Sequence, residues 1–293
     1  MQSMSFASQQ RLSISLRYAL LILISLIFIF PIVFMVMSSL KPDLQLLRDS
    51  ASLRAFMPVG DISLNNYADA FARVPIVQFF FNSVFTTAVS VAAALWLNSM
   101  AAFSLAFLQW RGKALVLSLI IATFIVPFEV IAIPLLMVVN NLPWLGPEGF
   151  EIGWLNTYHV QIIPFIADSL GIFLFYQYFR DLPDELVEAA RIDGASIWQI
   201  YARIIMPIAG PILATVAILK FLAMWNAYIW PLMTIRSEEL RPIMVGLQYF
   251  FQLNTAWGEI MAYLTVVTIP VLLFYLALQR AFIESIATSG IKG

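Results

Sequence analysis

From Tyr18 to Leu40, and again from Val74 to Trp110, the chain carries no charged side chain. A helix rises about 1.5 Å per residue, so roughly 20 apolar residues cross the hydrocarbon core of a bilayer. Both stretches are long enough. Lipid offers the backbone no hydrogen bonds, so continuous apolar segments of this length are read as spanning helices. Composition agrees: 61% of the 293 residues are hydrophobic and 11% charged, too few charges to cover a soluble surface.

The hydropathy pattern predicts an all-α membrane protein with six transmembrane helices. They cover about 18–40, 80–108, 114–139, 158–179, 211–235 and 259–278, and the domain reading follows from them. Residues 1–17 form an N-terminal arm, and 18–40 the first helix. Residues 41–79 form an outer loop with room for a short helix. Residues 80–280 are a five-helix core interrupted by a polar segment at 180–207, and 281–293 are a tail. The apolar run after Arg17 continues through Pro31 and Met37 without a small-residue cleavage pattern, which reads as an uncleaved anchor. Asn140 to Thr157, with Pro143, Gly146, Pro147, Gly149 and Gly153, reads as a loop.

Six spans place both termini on one side. That side holds Arg11, Arg17, Arg111, Lys113, Arg180, Arg191, Arg203, Arg280 and Lys292. The other holds Lys41, Arg48, Arg54, Arg73, Arg236 and Arg241. Positive residues in short loops favour the cytoplasm, so both termini are expected inside and the protein multi-pass in the inner membrane.

Several chemistries drop out. There is no cysteine and one histidine, His159, so no metal site is expected. A net charge of -1 gives no reason to expect nucleic acid as a partner. A P-loop requires G-x-x-x-x-G-K-[ST]; at Gly112-Lys113 the chain has Phe107 and Ala114 at the flanking positions, so no catalytic residue and no bound cofactor are expected here.

The most informative segment is Leu182 to Pro207, LPDELVEAARIDGASIWQIYARIIMP. Pro183 at a helix start, followed by Asp184, Glu185 and Glu188, suits the positive end of a helix dipole. Ala189, Ala190 and Ile192 give a small apolar face, and Gly194 breaks the helix. The shape predicted is helix, turn, helix along the membrane surface, suited either to a groove on a partner or to a solvated amphipathic connector.

Glu188-Ala189-Ala190, then Gly194, then Ile204-Ile205-Met206-Pro207, resemble the EAA loop of bacterial ABC-importer permeases, departing only at Met206, where leucine is usual. Trp225-Asn226-Ala227-Tyr228-Ile229-Trp230-Pro231-Leu232 resembles a signature of the carbohydrate-importer branch. The run from Gln279 through Gly293 resembles the tail of the maltose-type second permease. The resemblance implies the type I ABC importer permease fold and alternating access. It implies a heterodimer with a second permease, two ATP-binding subunits that carry ATP and Mg, and an extracytoplasmic substrate-binding protein. Glu188, Ala189, Ala190, Asp193, Gly194 and Ser196 would dock the ATPase, and Gly290, Lys292 and Gly293 would reach it through the tail. Gln248, Tyr249, Phe250, Phe251 and Gln252 would tip the loop that meets the binding protein, unless they form an interfacial aromatic belt.

Glu129, Asp168 and Lys220 lie within apolar segments, where charge is costly and normally faces protein or a water-filled path. Asp168 and Lys220 fall at similar depth, so a packing ion pair between them is expected. Together with Asn226, Tyr228 and Trp230 they are the pathway candidates. The cargo expected is a sugar or oligosaccharide; alternatives are glycerol phosphate, a polyol or an acidic oligosaccharide. A secondary transporter acting alone would have no use for the 180–207 segment.

Overall fold

The structure, a computed structural model, describes residues 6–146, 149–251 and 255–290, and side chains between 14 and 280 within them. In chain order the helices are α1 (Phe6–Ser39), α2 (Asp43–Asp49), α3 (Asn65–Arg73), α4 (Ile76–Phe107), α5 (Lys113–Phe124), α6 (Phe128–Val139), α7 (Tyr158–Ile162), α8 (Ser169–Arg180), α9 (Glu185–Ile192), α10 (Ile197–Gln199), α11 (Met206–Ile208), α12 (Gly210–Trp225), α13 (Ile229–Thr234) and α14 (Trp257–Gly290). A two-stranded antiparallel hairpin, β1 (Pro143–Gly146) and β2 (Gly149–Ile152), separates α6 from α7.

Four stretches are long and apolar enough to cross a membrane: Ile14–Ser39, Ile76–Phe107, Tyr158–Arg180, in which α7 and α8 follow one another across a short interruption, and Trp257–Arg280. Two further candidates are bent pairs. Helices α5 and α6 meet at 107°, and Ile197–Ile208 meets α12 at 81°. The first bend has a local cause. Pro127 has no N–H to donate and sits in extended conformation at ψ 142, so the α5 ladder stops and α6 starts afresh. The third segment is therefore bent where the sequence suggests a single helix, while the fifth, expected over 211–235, is interrupted between α12 and α13; Ile197–Ile208 belongs to the polar segment that precedes it.

The chain divides into two compact units, one made of the residues up to Pro75 with Leu247–Thr268, the other of Ile76–Gly246 with the residues from Ile269. In the first unit the segment after α1 is folded around polar side chains. Lys41, 1% exposed, reaches the Asp49 carboxylate at 3.4 Å and the Arg54 carbonyl. Gln45 donates to the Val59 carbonyl at 2.6 Å and accepts from the Asp61 amide at 2.8 Å. Asn66 donates to the carbonyls of Ser39 and Lys41. Buried polar groups must be paired, and these side chains supply the partners that 3₁₀ and irregular backbone lacks. Burial pushes the Asp49 carboxyl up, but the hydrogen bond and charge of Lys41, with Arg54 and Gln45, outweigh it and hold it below its ordinary value.

Phe250 belongs to this unit's core and is fully buried. Its ring packs on Tyr263 at 5.1 Å, beneath the Arg73 guanidinium at 5.7 Å. It is therefore no loop tip: its large apolar ring is shielded rather than offered. Phe251 is exposed, Gln248 and Tyr249 are half-buried, and Gln252 lies outside the described residues.

In the second unit an aromatic cluster of Phe103, Phe107, Phe175, Phe179 and Tyr201 joins α4, α8 and the segment after α9. The loop expected at 140–157 is instead a β-hairpin. Pro143 pairs with Ile152 and Leu145 with Phe150. Trp144 packs against His159 with centroids 4.9 Å apart, so His159 lies in an aromatic setting.

Candidate functional sites: a surface hairpin and a polar-aromatic cavity

The segment 182–209 forms the helix–turn–helix that its residues suggest. Helix α9 carries Glu185 and Glu188 in its first turn and is capped at Asp193, and the chain then turns at Gly194, whose φ of +79° lies in the left-handed region. A side chain there would meet no atom of this chain within 4 Å, so backbone conformation alone favours glycine. Ser196 then opens the second arm with a reciprocal capping box. Its hydroxyl accepts from the Gln199 amide, and the Gln199 side chain accepts from the Ser196 amide at 2.7 Å. A π-helical stretch, Ile200–Ile205, follows.

The hairpin is seated by its inner face. Val187, Ala190, Ile200, Tyr201 and Ile205 are buried in the aromatic cluster. The Tyr201 hydroxyl pairs with Ser99 at 2.8 Å, and the Arg191 guanidinium donates to the Phe107 carbonyl at the end of α4 at 3.2 Å. Its outer face carries Glu188, Ala189, Asp193, Gly194 and Ser196, all exposed, with Ile192 86% exposed. Ala190, which the resemblance to the EAA loop would assign to docking, is buried on the inner face. One residue's step of about 100° around the helix separates it from Ala189.

A cavity of about 530 Å³ in the second unit is lined by Lys220, Asn226, Tyr228 and Trp230, with Gln161, Thr86, Phe128 and Phe165 among its other walls. Four of the six pathway candidates thus converge. Helix α12 stops at Asn226, whose amide donates back to the Leu222 carbonyl at 2.9 Å. That break turns the chain so that Tyr228 faces the space. Trp230 serves as wall: it is 3% exposed, its indole donates to the Val160 carbonyl at 2.7 Å, and Phe128 and Phe165 meet it edge-on. Its N–H is therefore not available to a cargo.

Lys220 also lines an adjoining cavity of about 180 Å³ with Asp168 and Gly171. Its ammonium lies 3.0 Å from the Asp168 carboxylate, the pairing their similar depth suggests. Asp168 is the N-cap of α8, accepting from the Gly171 amide at 2.8 Å. Asn98 of α4 donates to Asp168 at 3.2 Å and accepts from its amide at 3.3 Å. Three helices, α4, α8 and α12, thus meet at one carboxylate. Gly171 permits this approach, because a Cβ there would come within 2.5 Å of the Asn98 amide nitrogen. Asn98 went unseen in the sequence because a neutral amide inside an apolar run carries no charge to flag it. Glu129 lies apart, exposed in the first turn of α6 and on neither cavity wall. Among the described residues no group of acids and histidine could hold a metal. Gly290 ends α14, while Lys292 and Gly293 lie outside the described residues.

Comparison with known proteins gives a consistent result. The chain is 31% identical over 275 residues to the arabinooligosaccharides transport system permease protein AraQ of Halalkalibacterium halodurans, covering 92% of this chain and 93% of that one. It is 29% identical to the lactose transport system permease protein LacG of Rhizobium radiobacter, covering 96% and 97%. Its fold matches a chain in the crystal structure of a bacterial ABC transporter involved in the import of the acidic polysaccharide alginate. There the TM-score is 0.74 at 23% identity, over 96% of this chain and all of the other. Residues 98–288 match the binding-protein-dependent transport system inner membrane component family. A carboxylate-centred three-helix junction, a cavity beside it and a surface hairpin bearing the EAA pattern are thus set in a membrane permease, and the chain belongs to that family.

Proposed function

We propose that the chain is one of two permease subunits of an ATP-driven importer of a sugar or oligosaccharide, seated in the inner membrane with both termini cytoplasmic. The observation that carries this reading is the hairpin 182–209, fixed to the aromatic cluster by one face and exposing Glu188, Ala189, Asp193 and Gly194 on the other. A helix pair held so firmly on one side is a lever. A subunit gripping its free side can move α4 and α8 with it. ATP and Mg would act on two partner ATPase subunits, and an external binding protein would deliver the cargo. Differential binding of these partners to inward- and outward-facing states drives the exchange.

The cargo assignment draws on the relatives' oligosaccharide and lactose transport and on the lining of the large cavity. Aromatic faces beside amide and hydroxyl groups suit sugar rings. A second permease and an ATPase should co-purify with this chain. Glu188→Lys should abolish uptake and cargo-stimulated ATP turnover in proteoliposomes while leaving insertion intact. Undiminished uptake by that variant, or uptake by this chain alone without ATP hydrolysis, would remove the reading.

A further inference from the structure

Among the described residues lining the two adjoining cavities, the charged ones are Lys220 and Asp168, and they are bound to each other at 3.0 Å. Lys220 is 8% exposed. Its partner carboxylate is held from three sides: by the ammonium, by the Asn98 amide and by the backbone amide of Gly171. This arrangement fixes the carboxylate where it neutralises the lysine. The other polar groups on the large cavity's wall are neutral, those of Thr86, Gln161, Asn226 and Tyr228, set among Phe128, Phe165 and Trp230. The wall this chain offers to cargo therefore has hydrogen-bonding groups and ring faces but no unpaired charge.

We propose that the Asp168–Lys220 pair cancels the positive charge that the described residues place on this wall and so restricts the cargo to uncharged saccharides, with Asp168 as the specificity-determining residue. The inference rests on the sugar-importer reading and names the charge class of its cargo. A neutral saccharide can exchange its water for the wall's amides and hydroxyls. A uronate or a phosphate must give up its hydration with no free cation to replace it, which is strongly unfavourable in a mostly apolar space. Removing the Asp168 charge while keeping its shape would uncover Lys220, and the same wall would then attract anions.

The test uses the assembled complex in nanodiscs, without binding protein, so that delivery does not set the selectivity. The probes are lactose, maltose and arabinobiose, their counterparts carrying one uronate, and counterparts carrying one amino sugar. Binding is read by saturation-transfer NMR, and uptake of the neutral probes is measured in parallel with binding protein present. In the wild type the neutral member of a pair should bind at least about tenfold more tightly than its uronate, the factor that corresponds to one charge-assisted hydrogen bond. Asp168→Asn, which keeps the cap on the Gly171 amide and the backbone amide's bond to the Asn98 oxygen but no longer accepts from the Asn98 side-chain amide, should cancel or reverse that ratio. Lys220→Gln should keep uronates out and admit the amino sugar. The double variant Asp168→Asn/Lys220→Gln should return to neutral preference. If Asp168→Asn fails to assemble, the last two variants decide. Equal binding of neutral and uronate probes by the wild type, or one ratio across all assembled variants, would overturn the proposal while leaving a sugar importer standing. A wild type that binds and carries no saccharide of any charge would overturn the importer reading itself.

Discussion

The segment after α1 and the hairpin after α8 are both polar in sequence, and they turn that polarity in opposite directions. In the first, Lys41, Gln45 and Asp49 are 1%, 7% and 2% exposed and bonded to one another or to backbone carbonyls. In the second, Glu185, Glu188 and Asp193 face outward, and among the described residues their carboxylates join no ion pair. One segment uses charge to hold itself together. The other keeps its apolar side inward and leaves charge unpartnered on a rigid base. The difference accords with the docking role proposed for the second, since an internally satisfied polar network has little left to offer a partner.

The largest expected effect lies at Gly194, where this comparison can be broken. The left-handed φ costs an ordinary L residue about 1–2 kcal/mol, and this chain has open space around the position. Asparagine tolerates that conformation far better than alanine. If only backbone geometry matters, Gly194→Asn should retain uptake and Gly194→Ala should lose part of it. If a partner packs against the glycine, both should lose more than about tenfold in cargo-stimulated ATP turnover with unchanged membrane insertion. The second result is expected here. Retention of full turnover by both would mean that the hairpin's exposed face is solvent-facing and nothing more.

Next in size is Lys41→Met. It leaves the Asp49 carboxylate buried without its nearest cation, Arg48 and Arg54 lying at 3.6 and 3.8 Å from more exposed positions. Breaking a buried pair from one side is strongly destabilising. The backbone amides of 41–75 should exchange hydrogen much faster, while those of the hairpin 182–209 remain as protected as before. Equal loosening of both would deny that the first segment is a self-contained network.

These contrasts also show what a reader of residues alone could and could not see. Gly194 and the helix that precedes it were legible because proline, acidic residues and glycine act locally. The Asp168–Lys220 pair was legible because charge inside an apolar segment needs a partner at the same depth. The folded segment after α1 was not, since Lys41, Asp49 and Asn66 look solvent-facing until the backbone brings them together. Phe250 and Phe251 are adjacent and chemically identical, yet one is core and the other exposed; only packing separates them. The hairpin at 143–152 hid behind its glycines and prolines, with apolar Leu145, Phe150 and Ile152 on its exposed side.

Acidification should separate the two segments further. Asp49 is held below its ordinary pKa, so its ionised form stabilises the folded state at and above the usual carboxylate range. That contribution disappears as pH falls through the depressed value. The amides of 41–75 should therefore stay protected through pH 5 and lose protection below about pH 4. Asp49→Asn should show weaker protection at neutral pH and little further change on acidification. A wild-type profile flat down to the lowest pH at which the protein remains in solution would contradict the assignment.

The smallest effect expected is Tyr201→Phe. The hydroxyl lost pairs with Ser99 at 2.8 Å and forms part of how the hairpin is fixed to α4, while the ring contacts with Phe103 and Trp198 remain. Removing it should lower stability by about 1 kcal/mol. Ser99 also donates to the Leu95 or Trp96 carbonyl of its own helix, so its hydroxyl is not left stranded and the loss stays small. The informative quantity is the ratio of uptake to ATP hydrolysis. A lever with a looser mount should still be gripped but should transmit less, so hydrolysis would continue while uptake per ATP falls. Equal decreases in both would instead mean that the hydroxyl serves stability alone, and that transmission runs through the buried aromatic rings without it.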